Sequence, residues 1–261
     1  GGVCMCAPRL RCGYERYFAS VMDQGMRDYE LQMLPLKEGL IRSGTALADS
    51  ILEIGIGTGP NLQFYPATAK IFGLEPNEEF RPFIKQQAQQ HGLRDFHFVH
   101  GHAEDIPMED DSVDIVVGTM VMCSVSNVSR ALSEVHRVLK PGGAYIFIEH
   151  VAAPDNTKLR LMQQVFDPLQ VTLMGGCHLT RKPLEAITSA TSGFQTVKAA
   201  SFALGDQVNV SRNDQSGQVE LVVEERQDSL RTARDASDSW PELKPHFLLA
   251  PHNAGVAYKA I

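Results

Sequence analysis

Short apolar runs alternate with longer stretches of helical periodicity through the middle of the chain. Ile51–Ile54, Ile71–Leu74, Phe96–Val99, Val113–Val117 and Ala144–Glu149 are brief and bounded by turn residues, which predicts buried strands. Between them, Asn77 reads as an N-cap for a helix that runs to Gln90 and ends at His91-Gly92. A second helix is predicted over Asn127–Lys140, with Leu132, Val135, Val138 and Leu139 inward and Pro141-Gly142-Gly143 as its stop. Ahead of the first strand, Tyr14–Leu40 is helical in pattern. Tyr17, Phe18, Val21 and Met22 share one face, and Pro35 is expected to kink or divide the segment. Strands alternating with helices in this rhythm predict an α/β fold with a parallel sheet and right-handed crossovers.

The first strand runs directly into three alternating glycines, Gly55, Gly57 and Gly59. Glycine there permits positive φ and lets a ligand approach the backbone. Such a turn, at the carboxyl end of the first parallel strand, is where nucleotide-like cofactors sit in doubly wound sheets. A dinucleotide fingerprint spaces its third glycine three residues after the second; here the spacing is two, and Glu53 precedes the first glycine by two. An acid at that place repels a pyrophosphate and suits a cation, so a sulfonium donor, S-adenosylmethionine, is favoured over NAD. Glu75, at the tip of the second strand and sixteen residues past Gly59, is placed to take both ribose hydroxyls of a nucleoside.

Composition adds boundaries. The 261 residues are 43 % hydrophobic and carry a net charge of -7, so a full core is available and a nucleic-acid surface is not expected. No run reaches the ~20 apolar residues of a membrane span. The amphipathic prefix can lie on a membrane surface or pack over the sheet. Five scattered cysteines do not make a disulfide framework and fit a reducing compartment. Residues 1–13 form a flexible lead with Arg9 and Arg11 and no acid, which suits either the remnant of an organellar transit sequence (chloroplast or mitochondrion) or a disordered start on a cytoplasmic protein. Cys4, Cys6 and Cys12 lack a fourth ligand at zinc spacing, so no metal is expected.

With these marks in hand, the sequence resembles the class I S-adenosylmethionine-dependent methyltransferases. EIGIGTG, the acid of GLEPN, the AEDIP loop, DDSVDIVV and RVLKPGG carry the likeness over Ser50–Val151. MCSVSNVSRALSEVHRVLKPGG, FIEHVAAP, DPLQ, GGCHLTR and PHNAGVAYKA resemble more narrowly the methyltransferase-like thiol methyltransferases of animals and their plant and algal relatives. Those are often described as similar to UbiE-type quinone methyltransferases. The resemblance implies a Rossmann-like, seven-stranded, mostly parallel sheet with helices on both faces and the last strand antiparallel. It implies a helical cap over residues 14–48 and a methyltransferase domain over 49–261. The implied cofactor set is Glu53, Gly55, Ile56, Gly57, Gly59 and Asn61 at the glycine turn, Glu75 and Pro76 at the second tip, His102, Ala103 and Glu104 beside the adenine, and Thr119 and Met120 after the fourth strand. The chain departs from the likeness at His102, where UbiE-type proteins have Asp or Asn, and a hydrophobic membrane-associating start like that of the animal members is not expected. A third departure is an acidic insertion over 205–242, with nine acids against four arginines. In it Gln218–Val223 has a strand pattern, and the rest reads as a solvated loop or a protein-partner element.

Methyl transfer from a sulfonium is an in-line displacement that needs approach and exclusion of water. A thiol acceptor must also lose its proton, and a carbon acceptor needs a base. The candidates by position are His150 after the fifth strand and Cys177 and His178 in GGCHLTR, with Arg181 just beyond and Tyr17 on the covering helix. Cys123 reads as a small packed residue, His150 as a base or a backbone-bonded strand end, and Cys177-His178 as pocket residues or a capping turn before a helix starting at Thr180. His246 and His252 flank the last strand as surface or packing residues. Three functions follow: S-methylation of a small thiol, C-methylation of a prenylated quinone or other lipid-like ring, and cofactor-retaining assembly without catalysis.

Overall fold

The computed structural model describes residues 8–203, 206–213, 218–224 and 251–261. The chain opens with helices α1 (Pro8–Gly25) and α2 (Arg27–Lys37), a π turn (Glu38–Arg42) and a last helical turn α3 (Ser43–Thr45). Pro8–Gly13 thus belongs to α1 and not to a flexible lead, while residues 1–7, with Cys4 and Cys6, lie outside the described residues. The prefix divides at Gly25-Met26 and not at Pro35. Pro35 sits inside α2, and the π turn follows it within three residues. Proline brings no N–H to the ladder, and the bonding shifts just downstream.

Seven strands form one sheet in the order β3-β2-β1-β4-β5-β9-β6. They are β1 (Ser50–Ile54), β2 (Lys70–Glu75), β3 (Phe96–His100), β4 (Val113–Thr119), β5 (Leu139–His150), β6 (Thr196–Ala203) and β9 (Pro251–Tyr258). The first five pair in parallel, and β9 runs antiparallel between β5 and β6. Alternation along each strand feeds two cores. Ile51, Ile146 and Ile148 face α2, the π turn and α4 (Arg81–Gln90), whereas Leu52, Ile54, Tyr145 and Phe147 face α5 (Val128–Val138) and α7 (Pro183–Thr188). α5 starts where the Asn127 side chain accepts the Arg130 amide at 3.0 Å. Helix α6 (Lys158–Leu173) leaves Leu161, Val165, Leu169 and Leu173 exposed in a stripe. No helix among the described residues is long and apolar enough to cross a membrane.

Three boundaries differ from the sequence reading. α5 ends at Val138, and Leu139 to Gly143 already belong to β5 as a bulged entry: Val113 pairs with Leu139 and Ile115 with Ala144. Gly143 is needed there because a Cβ would lie 2.7 Å from the Asp114 carbonyl. Chain after GGCHL turns, and α7 begins at Pro183 and not at Thr180. The acidic insertion holds two strands, β7 (Gln207–Arg212) and β8 (Val219–Glu224), paired as an antiparallel hairpin. Arg212 donates to the Ser43 carbonyl (3.0 Å) and Val219 N to the Tyr258 hydroxyl (2.9 Å), so the hairpin is tied to the cap and the sheet. The remainder of the insertion from residue 225, and His246, lie outside the described residues.

Candidate active site

A cavity of about 990 Å³ opens at the carboxyl ends of β1, β2 and β4, under a roof of α1 and α2. That is the upper end of the range for small-molecule sites, roomy enough for a nucleoside cofactor and a second small molecule. Tyr14 pins the roof: its hydroxyl donates to the Leu173 carbonyl (3.2 Å) and accepts from Gly175 N (3.1 Å).

At the end under β1 and β2, Gly55 and Gly57 have φ of 58° and 55°. A Cβ on Gly57 would enter open cavity, its nearest neighbour being the Gly55 carbonyl at 4.0 Å. Glu75 closes this end. Its carboxylate accepts from Gly57 N and Asn77 N, both at 3.0 Å, while lining the cavity. Burial lifts its pKa to about 7, against the lowering effect of those two amides. Ile56, Pro76, His102, Ala103, Glu104, Thr119 and Met120 also line the cavity. Glu104 caps α5 from outside by accepting from the amides of Ser126 and Asn127.

Glu53, Asn61 and Gly59 are placed differently from the sequence reading, since none of them lines the cavity. Glu53 is 1 % exposed, and its two oxygens accept from Asn61 Nδ2 (2.7 Å) and the Tyr65 hydroxyl (2.8 Å). Asn61 also donates to Thr119 Oγ1 (3.0 Å), so the acid knots the glycine turn to β4 from within. Burial raises the Glu53 pKa to about 7, opposed by the Tyr65 and Asn61 bonds. Gly59 turns at φ 81° against Leu62, where a Cβ would lie 3.0 Å from the leucine methyl. The cavity wall itself is acidic. Glu15, Asp23, Glu30, Glu75 and Glu104 line it against a single guanidinium, Arg27. Lys37, itself buried, pairs with Glu30 at 2.6 Å and Arg27 reaches Asp23 at 4.0 Å, which leaves the wall net negative.

The far end lies under the tips of β4 and β5. Met120 takes φ 60°, a costly conformation for a residue with a side chain, and throws the chain into a turn. Glu149 holds that turn, accepting from Val121 N and Met122 N at 3.0 Å each. Burial raises the Glu149 pKa to about 7, and its second oxygen has no partner. Here the structure brings together Cys123, His150 and Cys177. His150 Nε2 lies 3.2 Å from Cys177 Sγ, and both thiols reach the cavity wall while His150 is fully buried behind them. Hydrogen bonding from Cys123, with help from His150, holds the Cys177 thiol well below the usual thiol range, and Cys123 is correspondingly raised. His150 therefore bonds sulfur, not backbone.

His178 is not in the cavity. Its Nδ1 lies 3.1 Å from Asp167, and its amide donates to the Cys123 carbonyl. Arg181 clamps the β4 turn through the Met122 and Val125 carbonyls (2.7 and 2.6 Å). Tyr17 is 67 % exposed and faces away; its helix instead offers Tyr14, Phe18 and Met22. Sequence reasoning missed Gln170 and Met174 on the wall, and the Tyr29 hydroxyl that bridges Met120 Sδ (3.2 Å) and His252 Nε2 (3.0 Å). His252 is a buried packing residue between Tyr29 and Phe202.

Comparison with known proteins falls in line with this geometry. Residues 52–147 match the family described as "Methyltransferase domain". The match runs from β1 into β5, the part of the sheet that carries the glycine turn and Glu75. Human thiol S-methyltransferase TMT1A is 45 % identical over 144 residues, 54 % of this chain and 59 % of that protein. The rat thiol S-methyltransferase TMT1B is 40 % identical over 149 residues, 56 % of this chain and 61 % of that protein. The chain spans about three fifths of the length of these curated relatives. Among solved structures, YcgJ of Bacillus subtilis superposes with a TM-score of 0.56 at 18 % identity, covering 87 % of this chain and 99 % of that one, a likeness of fold alone.

The raised carboxylates set the sign of the pH dependence. Glu53, Glu75 and Glu149 have folded pKa values of about 7, above their ordinary value of 4.5. Their contribution to stability is complete below 4.5 and is lost as pH rises through 7. Asp114 and Glu134 are shifted down through Lys140, Ser50 and Arg137 contacts, and act oppositely in acid. The cofactor-free protein is expected to melt at a higher temperature near pH 5 than at pH 8, which melting curves across that range will check.

Proposed function

We propose that this chain binds S-adenosylmethionine in the cavity and transfers its methyl group to the sulfur of a small, lipophilic thiol. The observation that carries the reading is the single cavity joining a buried acid beside an open glycine turn to a thiol-lined far end, with a net negative wall between them. The cofactor supplies an electrophilic methyl carbon on a positively charged sulfur. Glu75 has lone pairs left for two hydroxyls after its two amide bonds, and Gly57 admits the nucleoside because it has no side chain. The excess of carboxylates over cations on the wall favours the positive charge of the donor.

Similarity to proteins named thiol S-methyltransferases supports sulfur as the acceptor atom. The roof supports its chemical class. Phe18, Met22, Met26, Leu31 and Leu34 present apolar surface, and the acidic wall repels carboxylates. An alkyl or aryl thiol is thus favoured over a glutathione-like one. Cys123 and Cys177, with His150 behind them, mark the far end, where the acceptor thiol gives up its proton.

The test is production of S-adenosylhomocysteine over a panel of thiols. Turnover with an alkanethiol well above that with glutathione is expected; turnover of a quinol ring with none over the thiols would overturn the reading. The Glu75 pKa gives a second check. Hydroxyl donors favour its charged form, so affinity for S-adenosylmethionine should rise about tenfold from pH 6 to pH 8. Glu75→Ala should weaken binding by ~1–3 kcal/mol and flatten that dependence, as read by calorimetry.

A further inference from the structure

We propose that Cys123, Cys177 and His150 form a zinc site whose open fourth position faces the acceptor end of the cavity and takes the substrate sulfur. The inference rests on the thiol reading above for its substrate, and on geometry alone for the ion. The two Sγ atoms and the imidazole nitrogen all lie within 4.8 Å of one another, and all three residues are buried. Two thiolates with one imidazole is a donor set for zinc sites that keep a position open for a ligand. The softness of two sulfurs disfavours magnesium and calcium.

Placement makes the open side point inward. Cys123 and Cys177 reach the cavity wall, and His150, 0 % exposed at the end of β5, closes the back. A fourth protein ligand, which would make the site a closed structural one, is absent from this group among the described residues. Two polar atoms behind the group have no partner among the described residues. Glu149, adjacent to His150, is fully buried with its Oε2 unpartnered, and His150 Nδ1 is likewise without a partner.

The ion would do what a sulfur acceptor needs. A thiol entering the fourth position displaces water and loses its proton to solvent, because a coordinating thiol is deprotonated by the metal. The bound sulfur then uses a lone pair to form the new S–CH3 bond. The bond between that carbon and the donor sulfonium breaks, and its electron pair returns to the donor sulfur as a neutral thioether. The methylated product is also a neutral thioether, a weaker ligand than a thiolate, and leaves the ion.

The full chain, purified without chelator under reducing conditions, is expected to carry one zinc by elemental analysis. Cobalt replacement should give tetrahedral visible bands with thiolate-to-metal charge transfer, and adding an alkanethiol without S-adenosylmethionine should shift those bands. Cys123→Ser and Cys177→Ser should each lose the stoichiometric ion, with circular dichroism and melting curves showing that they fold. If either variant fails to fold, the thiol-induced shift in the wild-type cobalt protein decides alone. A chain free of zinc that refuses added zinc, a Cys123–Cys177 disulfide under those conditions, or a cobalt spectrum blind to thiol would each overturn the site. Thiol turnover unaffected by complete metal removal would overturn the site while leaving S-methylation standing; a loaded site without thiol turnover would instead fault the thiol reading.

Discussion

Gly57→Val is expected to abolish cofactor binding, by at least about a hundredfold, in a protein that still folds. Two effects combine to reach that size, since each ~1.4 kcal/mol is a factor of ten. The backbone at φ 55° is disfavoured for a residue with a Cβ by roughly 1–2 kcal/mol, most of all for a β-branched one. The added methyls would also occupy the open space beside Glu75 in which the proposed nucleoside would lie, because nothing in the protein stands closer than the Gly55 carbonyl at 4.0 Å. That openness is why the fold should survive: no core neighbour is displaced. Gly57→Ala should fall between the two, sharing the backbone cost but filling less of the cavity. Calorimetry with S-adenosylmethionine, paired with a melting curve, measures both halves of the expectation. Wild-type affinity in the valine variant would remove the cofactor from this turn.

Glu53→Ala is expected to act on stability, lowering it by about 3 kcal/mol near pH 6. The substitution leaves the Tyr65 hydroxyl without its buried acceptor and takes one of two acceptors from Asn61, at roughly 1–3 kcal/mol for each unsatisfied buried group. For a domain of this size, each ~1 kcal/mol is worth roughly 2–4 °C in melting temperature, so a fall of about 6–12 °C is anticipated. The loss should shrink as pH rises. Glu53 has a folded pKa of about 7, so above that value the wild type must hold a buried charge that the variant lacks. A variant that melts like the wild type, while losing cofactor affinity, would return Glu53 to the role of a direct ligand.

These two residues also mark how far the chain can be read by eye. The bend at Gly57 is legible because it is local: an apolar strand runs straight into alternating glycines, and the positive φ found there suits one residue type. Glu75 was legible for the same reason, as an acid at the last position of a strand. Glu53 sits in the same motif, but the direction of its side chain depends on Tyr65 and Asn61 folding back over it. His178 and Tyr17 show the same limit. Both occupy segments that border the cavity, and their side chains turn to Asp167 and to the exterior.

What the sequence determined by itself was the alternation of strands and helices, the glycine bend after β1 and the acid at the end of β2, all written in neighbours along the chain. Only the tertiary structure decided that Pro141-Gly142-Gly143 enters β5, that β7 pairs with β8 inside the acidic insertion, and that Cys123, His150 and Cys177 meet. His150 and Cys177 are 27 residues apart and yet lie 3.2 Å from each other. The physical reason is one of range. Backbone preference and hydrophobic period act over a few residues, whereas the convergence of side chains from the ends of β4, β5 and α6 is set by the packing of the whole sheet, to which no single stretch of sequence refers.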